Sequence, residues 1–192
     1  MRKLSVFNFV SMNGYFAGPG GDISWHKDRP ADQEQDQFGK EGVQSDGVLI
    51  FGRKTYDMMA SFWPTPMGMQ VNPVMAEGMN KSDKIVFSKT MDKASWNNTT
   101  LIKDNAVEAM KNLKQQPGKP MTILGSGSIV TQLAAAGLID EFQLMVDPVA
   151  LGSGTPLFNG LQHPLELQLV NHKIFKSGVI VLTYQPAYAV NM

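Results

Sequence analysis

The sequence predicts a three-layer α/β domain, in which helices flank a mixed, mostly parallel sheet of about eight strands. Over the first two-thirds of the chain, short apolar runs alternate with segments of helical spacing, which is typical of parallel strands joined by crossover helices. The last third instead contains two consecutive strand-like segments joined by a glycine turn, which adds an antiparallel edge. The length of 192 residues suits one domain, and we assign residues 1–192 to it.

The strand predictions rest on apolar runs and on alternation of apolar with polar residues. The segment from Leu4 to Met12 is apolar on both faces, which is typical of a buried central strand. Residues 165–169 alternate leucine with glutamate or glutamine and therefore predict a half-exposed strand, which the turn Lys176-Ser177-Gly178 reverses. The other predicted strands are 48–51, 84–87, 99–102, 121–124, 141–146 and 179–184.

Helices are predicted between these strands. The polar segment 31–44 is expected to face solvent, with Phe38 turned inward. Ser128 is expected to cap a helix that runs to about residue 136 and is followed by Gly137. The proline-interrupted segment 62–68 is expected to be a loop. The remaining predicted helices are 54–60 and 105–115.

Composition narrows the classes of function. The chain carries 17 basic and 17 acidic residues, a balance that argues against broad electrostatic binding to nucleic acid or to an anionic membrane. It has no cysteine, and its three histidines lack metal-ligand spacing, so no metal site is expected. No apolar stretch approaches the ~20 residues that span a bilayer, and residues 4–10 are too polar for a secretory segment. We therefore expect a soluble, cytoplasmic protein.

The segment Gly52-Arg53-Lys54-Thr55-Tyr56 follows a predicted strand and opens a predicted helix. Free backbone N–H groups at such a helix start bind anions, and this segment adds two cations and a hydroxyl group. These residues suit a pyrophosphate or a ribose phosphate. The alternative is an ordinary strand–helix turn with two solvated cations.

Two more predicted strands end in residues that are compatible with phosphate. Gly125-Ser126-Gly127-Ser128 lies between a strand and a helix, and Ser88-Lys89 follows another strand. A Rossmann fingerprint is an alternative for the glycine turn, with Asp147 as its ribose-binding acid, although Val130 stands where a small residue is needed. Because ligands of open α/β sheets collect beyond the carboxyl ends of the strands, three such ends together indicate a nucleotide site.

The region around Trp25 is rich in acidic residues and contains His26. Most of these carboxylates are expected to form a solvated face, and His26 is expected at the surface. One of the acids could instead hold a polar heterocycle or supply a proton.

These motifs resemble those of the dihydrofolate-reductase-like superfamily. Residues 52–56 resemble its cofactor-phosphate motif, and residues 123–128 resemble its second glycine-rich turn, with Ser126 where a glycine is usual. The resemblance implies the dihydrofolate-reductase-like fold and NADPH as cofactor. Within the cofactor site it implies phosphate contacts at the first motif, the adenosine end at Ser88 and Lys89, and the pyrophosphate and nicotinamide at the glycine turn. The residues it assigns to the cofactor are Gly52, Arg53, Lys54, Thr55, Ser88, Lys89, Gly125, Ser126, Gly127 and Ser128.

Two further stretches resemble the riboflavin branch of this superfamily, the C-terminal reductase domain of the bacterial riboflavin deaminase-reductase. Residues 11–17 resemble its first-strand motif, in which aspartate usually stands where Asn13 does. Residues 138–141, 148–154 and 157–158 resemble its C-terminal signature. The deaminase half of the bifunctional enzyme and its cysteine–histidine zinc site have no counterpart in this sequence.

The resemblance implies a reductase that transfers a hydride from NADPH to a small pyrimidine or pterin. The first expected substrate is 5-amino-6-(5-phosphoribosylamino)uracil, dihydrofolate or another pterin is the alternative, and a non-catalytic nucleotide-binding relative is the second alternative. Asn13 and Trp25 are the expected substrate-binding residues. Pro30-Ala31-Asp32 resembles the stretch of dihydrofolate reductase that ends in its pterin-binding acid, so Asp32 is the candidate catalytic residue. By analogy we expect a homodimer, formed through the terminal strands and the 151–158 loop.

Overall fold

The computed structural model describes residues 1–27 and 32–187, and strands account for most of its central layer. Eight strands form one sheet and two short ones form a separate pair. The strands are β1 (Leu4–Ser11), β2 (Tyr15–Ala17), β3 (Val48–Gly52), β4 (Asp83–Phe87), β5 (Thr99–Ile102), β6 (Met121–Leu124), β7 (Glu141–Asp147), β8 (Thr155–Pro156), β9 (Leu167–Ile174) and β10 (Ile180–Pro186).

The order of strands in the large sheet is β5-β4-β3-β6-β1-β7-β10-β9. Six neighbouring strands from β5 to β7 run parallel, whereas β10 is antiparallel to both β7 and β9. The predicted eight-stranded, mostly parallel sheet with an antiparallel edge is thus confirmed. The pair β2-β8, which was not predicted, joins the chain after β1 to the loop after β7.

Seven helices occur in the described ranges, and they flank the sheet. They are α1 (Ser24–Lys27), α2 (Gln33–Gln44), α3 (Arg53–Ala60), α4 (Pro66–Val71), α5 (Pro73–Lys81), α6 (Ala106–Gln115) and α7 (Gly127–Ala135). None of the helices in residues 1–27 and 32–187 is long and apolar enough to cross a bilayer.

The structure corrects two predicted helix starts and one predicted loop, each for a local reason. The helix predicted over 31–44 begins at Gln33, because the Asp32 side chain caps it; residues 28–31 lie outside the described ranges. The segment predicted as a loop contains Pro66 at the start of α4, where proline is tolerated and Thr65 supplies the cap. Helix α7 begins at Gly127 rather than after Ser128, because Ser126 already holds the capping position.

The apolar core lies on both faces of the sheet. Along β3, Val48 and Ile50 pack with residues of α6 and α7, whereas Leu49 and Phe51 pack with residues of α3 and α5. Since alternate side chains of a strand point to opposite faces, helices cover both sides of the sheet. A smaller cluster joins β1 and α2 on the second of these faces, beside the antiparallel strands. Because helices cover both faces of the sheet, the ends of its strands are the parts that the helices leave uncovered.

Candidate functional site

The residues predicted to bind a nucleotide lie together at the carboxyl ends of the parallel strands, which form one edge of the sheet. Strands β3, β4 and β6 run parallel and end at Gly52, Phe87 and Leu124. The segments that follow them therefore emerge side by side, and the central strand β1 ends at the same edge. The structure thus brings the three predicted phosphate-compatible segments together.

Ser126 locks two of these segments to each other. Its Oγ accepts a hydrogen bond from Gly52 N–H at 2.8 Å and donates to the Leu124 carbonyl at 2.9 Å. Its own N–H donates to Thr55 Oγ1 at 3.1 Å. The serine is buried, with only 6% of its surface exposed, and holds a left-handed backbone conformation with φ of 61°. The hydroxyl groups of Ser126 and Thr55 therefore join the starts of α3 and α7.

The two glycines of the turn are required by close packing. A Cβ atom on Gly127 would lie 2.7 Å from the Phe16 ring, and one on Gly125 would lie 3.0 Å from Thr55 Cγ2. Gly125 also has a positive φ of 57°, which side chains other than glycine disfavour. Ser128 is exposed in the first turn of α7, where backbone N–H groups have no partner within the helix. A ligand beside the exposed Ser128 would therefore meet the start of this helix.

Cations lie beside the carboxyl ends of β3 and β4, which form the outer end of this site. Arg53 Nη1 donates to Thr90 Oγ1 at 2.6 Å, which connects the start of α3 to the turn after β4. Ser88 shapes that turn, because its Oγ accepts from the N–H groups of Thr90 and Met91. Arg53 also approaches Asp57, at 3.4 Å, but this pair is more than half exposed and is weak for that reason. With Lys54 and Lys89, which are exposed, Arg53 gives this end a positive potential.

Asn13 uses its side-chain amide to join two loops at this edge. Its Nδ2 donates to the Leu151 carbonyl at 2.8 Å, and its Oδ1 accepts from Leu151 N–H at 3.0 Å. Oδ1 also accepts from Ser11 Oγ at 2.9 Å. The amide thus holds the segment after β1 against the segment after β7. Its role in binding substrate stays a prediction, and its observed contacts are structural.

Asp32 is held by backbone hydrogen bonds. Oδ2 accepts from Ser177 N–H at 2.9 Å, and Oδ1 accepts from Glu34 N–H at 3.0 Å and Gln35 N–H at 3.2 Å. The bond from Ser177 is the largest influence and lowers the pKa of Asp32 below its ordinary value, with the bonds from Gln35 and Glu34 acting in the same direction. A carboxylate held in its ionised form is a poor proton donor, so these contacts point to a structural role.

His26 is not a surface residue, contrary to the sequence-based expectation. Its ring stacks on Phe9 with 3.6 Å between ring centroids and an interplanar angle of 25°. Its Nδ1 lies 2.9 Å from Asp147 Oδ2, and the exposed fractions of the two side chains are 17% and 0%. Trp25 contacts the imidazole edge and donates from Nε1 to the Asp22 carbonyl. Sequence reasoning missed this pair because 121 positions separate its members.

The position of Asp147 also excludes the Rossmann alternative. In that fold the strand after the glycine-rich turn and its helix lies next to the strand before them. Here β1 lies between β6 and β7, so Asp147 is two strands away from the turn at Gly125. The acid is directed to His26 rather than to a ribose beside the turn.

The opposite edge of the sheet carries a surface depression of about 460 Å³, lined by residues such as Asp83, Asn98 and Thr99. None of the predicted site residues lies there, and ligands of such sheets bind at the carboxyl ends of the strands. No group of three or more histidine, aspartate or glutamate side chains within residues 1–27 and 32–187 is placed to hold a metal ion. The carboxyl-end edge is therefore the candidate site.

Solved structures of similar fold cover nearly the whole chain. A Shewanella sp. PV-4 protein described as a riboflavin biosynthesis protein has a TM-score of 0.74 and 24% identity, over 96% of this chain and 98% of its own. Dihydrofolate reductase from Enterococcus faecalis, solved with NADP(H), has a TM-score of 0.63 and 15% identity, over 96% of both chains. The Thermotoga maritima deaminase/5-amino-6-(5-phosphoribosylamino)uracil reductase has a TM-score of 0.65 and 15% identity, over 97% of this chain but 57% of that one. These likenesses confirm the predicted dihydrofolate-reductase-like fold.

Related sequences point to a more specific group. The Bacillus subtilis (strain 168) protein YyaP is 29% identical over 95% of this chain and 94% of its own length. YwjB from the same organism is 31% identical over 93% of this chain and 95% of its own. The family model of the RibD C-terminal domain matches residues 2–181. Because this match leaves out only the two ends of the chain, the chain belongs to the family of RibD C-terminal domains.

Proposed function

We propose that this protein is an NADPH-dependent reductase that transfers a hydride to a small, heterocycle-linked substrate. The observation that carries the proposal is the contact between the two helix starts, in which Ser126 binds Gly52 N–H through its hydroxyl group and Thr55 through its own N–H. Two adjacent helix N-termini provide backbone N–H groups and positive dipole ends, which favour a ligand with two linked phosphates. A dinucleotide has this chemistry.

The charges at the outer end favour the phosphorylated form of the cofactor. Arg53, Lys54 and Lys89 offer three cations around the turn that contains Ser88. A 2′-phosphate adds negative charge at the adenosine end, where guanidinium groups bind phosphate in a bidentate manner. In this proposal Gly125 to Ser128 lie against the pyrophosphate and the nicotinamide. When bound, the cofactor supplies the hydride, and the chain positions it and excludes water.

The first substrate we propose is 5-amino-6-(5-phosphoribosylamino)uracil, on which the reductase half of the Thermotoga maritima enzyme is named to act. Membership of the RibD C-terminal family supports this choice over dihydrofolate or another pterin. Trp25, which is half-buried at the substrate end, offers an aromatic edge to a heterocycle, and Asn13 lies in the loop that borders it.

A non-catalytic nucleotide-binding protein is the competing proposal, and one pair of observations favours it. The polar groups of Asn13 and Asp32 already bond to the chain itself, so neither side chain is free to bind substrate in this conformation. Cofactor binding without turnover on any pyrimidine or pterin would support this alternative.

The first experiment follows NADPH oxidation by absorbance, with the ribosylamino-pyrimidine phosphate and then dihydrofolate as substrates. Turnover with the first compound supports the proposal, and turnover with dihydrofolate alone supports the pterin alternative. Arg53→Ala should raise the Kd for NADPH about tenfold while it leaves NADH binding nearly unchanged, because it removes one charge-assisted phosphate contact. Lys111→Ala is the matched control, since Lys111 is a surface cation of α6 outside the site. An unchanged NADPH/NADH preference in Arg53→Ala would contradict the cofactor assignment.

A further inference from the structure

The His26–Asp147 pair is a polar unit that the proposed function does not yet use. Asp147 is fully buried at the end of β7, where it lies opposite Ser11, the last residue of the central strand β1. His26 reaches it from α1 and is itself mostly covered. A carboxylate that is shielded from water requires hydrogen-bond partners or opposite charge, and the imidazole provides one.

The geometry fixes the orientation of the imidazole ring. An ionised carboxylate only accepts hydrogen bonds, so Nδ1 carries the proton that it shares with Asp147 Oδ2. Stacking on Phe9 holds the plane of the ring, and Trp25 contacts its edge. The other ring nitrogen, Nε2, has no hydrogen-bond partner among residues 1–27 and 32–187, so it is the nitrogen that a ligand can reach.

The pair lies close to the place proposed for the nicotinamide. Phe7 of β1 pairs in register with Leu124, the last residue of β6 before the glycine turn. Phe9 points to the same face of the sheet and lies roughly 6–7 Å further along the strand, level with the turn. The imidazole that stacks on Phe9 therefore lies over β1, with the glycine turn after β6 on one side and Asp147 of β7 on the other. In the proposed function, a substrate held between the glycine turn and α1 would lie beside His26.

We propose that His26 is the catalytic proton donor of the reduction, oriented by Asp147; this inference rests on the proposed function. A hydride passes from the nicotinamide to the carbon of a C=N or C=O bond, and the electron pair of that double bond moves to the nitrogen or oxygen. That atom takes the proton from Nε2 of the His26 imidazolium, which becomes a neutral imidazole. Nδ1–H stays bonded to Asp147 Oδ2, which keeps the ring in place while Nε2 gives up its proton. Solvent returns the proton, because 17% of the His26 side chain is exposed.

Few other charged groups in the described ranges face this imidazole. Asp22 lies in the segment before α1, and its carboxylate accepts from Ser24, while its carbonyl accepts from Trp25. Asp32 on α2 is engaged by Ser177 and by its own helix. Among the charged groups of residues 1–27 and 32–187, Asp147 is the one that contacts the ring.

The test uses His26→Ala and His26→Gln in the full chain, with His172→Gln as the matched control because His172 is exposed on the edge strand β9. We expect His26→Ala to lower kcat about 100-fold, as the loss of a general acid does, with little change in KM. Added imidazole should restore part of the rate of His26→Ala, which a purely structural role would not allow. The NADPH Kd should stay close to that of the wild type. The unfolding temperature of His26→Ala should fall, because the buried Asp147 carboxylate loses a partner, so rates are compared below that temperature.

A second readout does not depend on turnover. In NMR spectra of the wild type, the His26 ring signals should shift when NADP⁺ and the pyrimidine substrate are added together, and the His172 signals should not. Asp147→Asn should lower kcat, because the amide can offer its N–H to the ring and favour the other tautomer. Either of two results would overturn this inference while the reductase proposal stands. The first is a wild-type rate in His26→Ala. The second is a loss of rate in His26→Ala that added imidazole does not restore, together with His26 ring signals of the wild type that do not shift when ligands are added. Absence of turnover by the wild type on every heterocycle would overturn both.

Discussion

Replacing Ser126 by alanine should destabilise the domain through a hydrogen bond that no neighbour can replace. Ser126 Oγ accepts the Gly52 N–H at 2.8 Å, and both residues are buried. Without the hydroxyl group, Gly52 N–H is left buried and unpaired, which costs about 1–3 kcal/mol. For a domain of this size each kcal/mol corresponds to roughly 2–4 °C in Tm. Urea denaturation followed by circular dichroism measures the loss directly.

A glycine at the same position separates the hydrogen bond from the backbone conformation. Ser126→Gly also removes the hydroxyl group, but glycine adopts the left-handed φ of 61° without the penalty of roughly 1–2 kcal/mol that a side chain incurs. The glycine variant should therefore have a free energy of unfolding between those of the wild type and Ser126→Ala. Ser128→Ala, in the exposed first turn of α7, is the control and should change stability by no more than about 0.5 kcal/mol. Wild-type stability in Ser126→Ala, or a glycine variant less stable than the alanine variant, would refute this reasoning.

Three further predictions concern other parts of the chain. Burial lowers the pKa of Lys84 to about 8, so the folded protein releases this proton at a lower pH than the unfolded chain does. Between pH 8 and pH 10.5, the free energy of unfolding of the wild type should therefore rise relative to that of Lys84→Met. Parallel curves of unfolding free energy against pH for the two proteins would contradict this. The hydrogen bond from Ser177 lowers the pKa of Asp32, so the stability that the ionised carboxylate contributes is present above the ordinary pKa of 3.8 and is lost as pH falls through the lower folded value. Asp32→Asn should therefore reduce the free energy of unfolding measured in urea at pH 7. Unchanged turnover in this variant would exclude Asp32 as the catalytic or pterin-binding acid. We also propose a homodimer that involves the edge strand β9, because Val170 and Ile174 are exposed on it. Gel filtration at micromolar concentration should show a dimer for the wild type and a monomer for Ile174→Lys, and a monomeric wild type would rule out the homodimer.

The sequence predicted the sheet because its signals are local. The apolar run in β1, the alternation near Leu167 and the glycine turn at Gly178 each specify structure within about ten residues of chain. Helix α4 escaped detection because Pro66 is read as a break, whereas its role depends on the cap that Thr65 happens to supply. Strand β9 extends to Ile174 although most of its residues are exposed, because pairing with β10 rather than burial defines it.

The same distinction separates the two ends of the candidate site. At the proposed cofactor end, glycine and hydroxyl residues adjoin each strand end, so the motif at Gly52 could be predicted from the residues around it. At the other end, the pairing of His26 with Asp147 and that of Asn13 with Leu151 join residues 121 and 138 positions apart. No local pattern specifies such contacts, because they depend on which strands become neighbours in the sheet.

The contact of Asn13 with Leu151 bears on how the substrate end differs from that of relatives in the riboflavin branch. An amide can both donate to the Leu151 carbonyl and accept from its N–H, as it does here. The aspartate that the riboflavin pattern places at this position could accept but not donate, and its charge would repel the carbonyl. An aspartate at this position would lose the hydrogen bond to the Leu151 carbonyl, which would weaken the junction between the two loops. Asn13 therefore fixes the segment after β7, and its amide is occupied by the chain itself. In the reductase that we propose, the proton would come from another group, and His26, held by Asp147 at the end of β7, is our candidate for it.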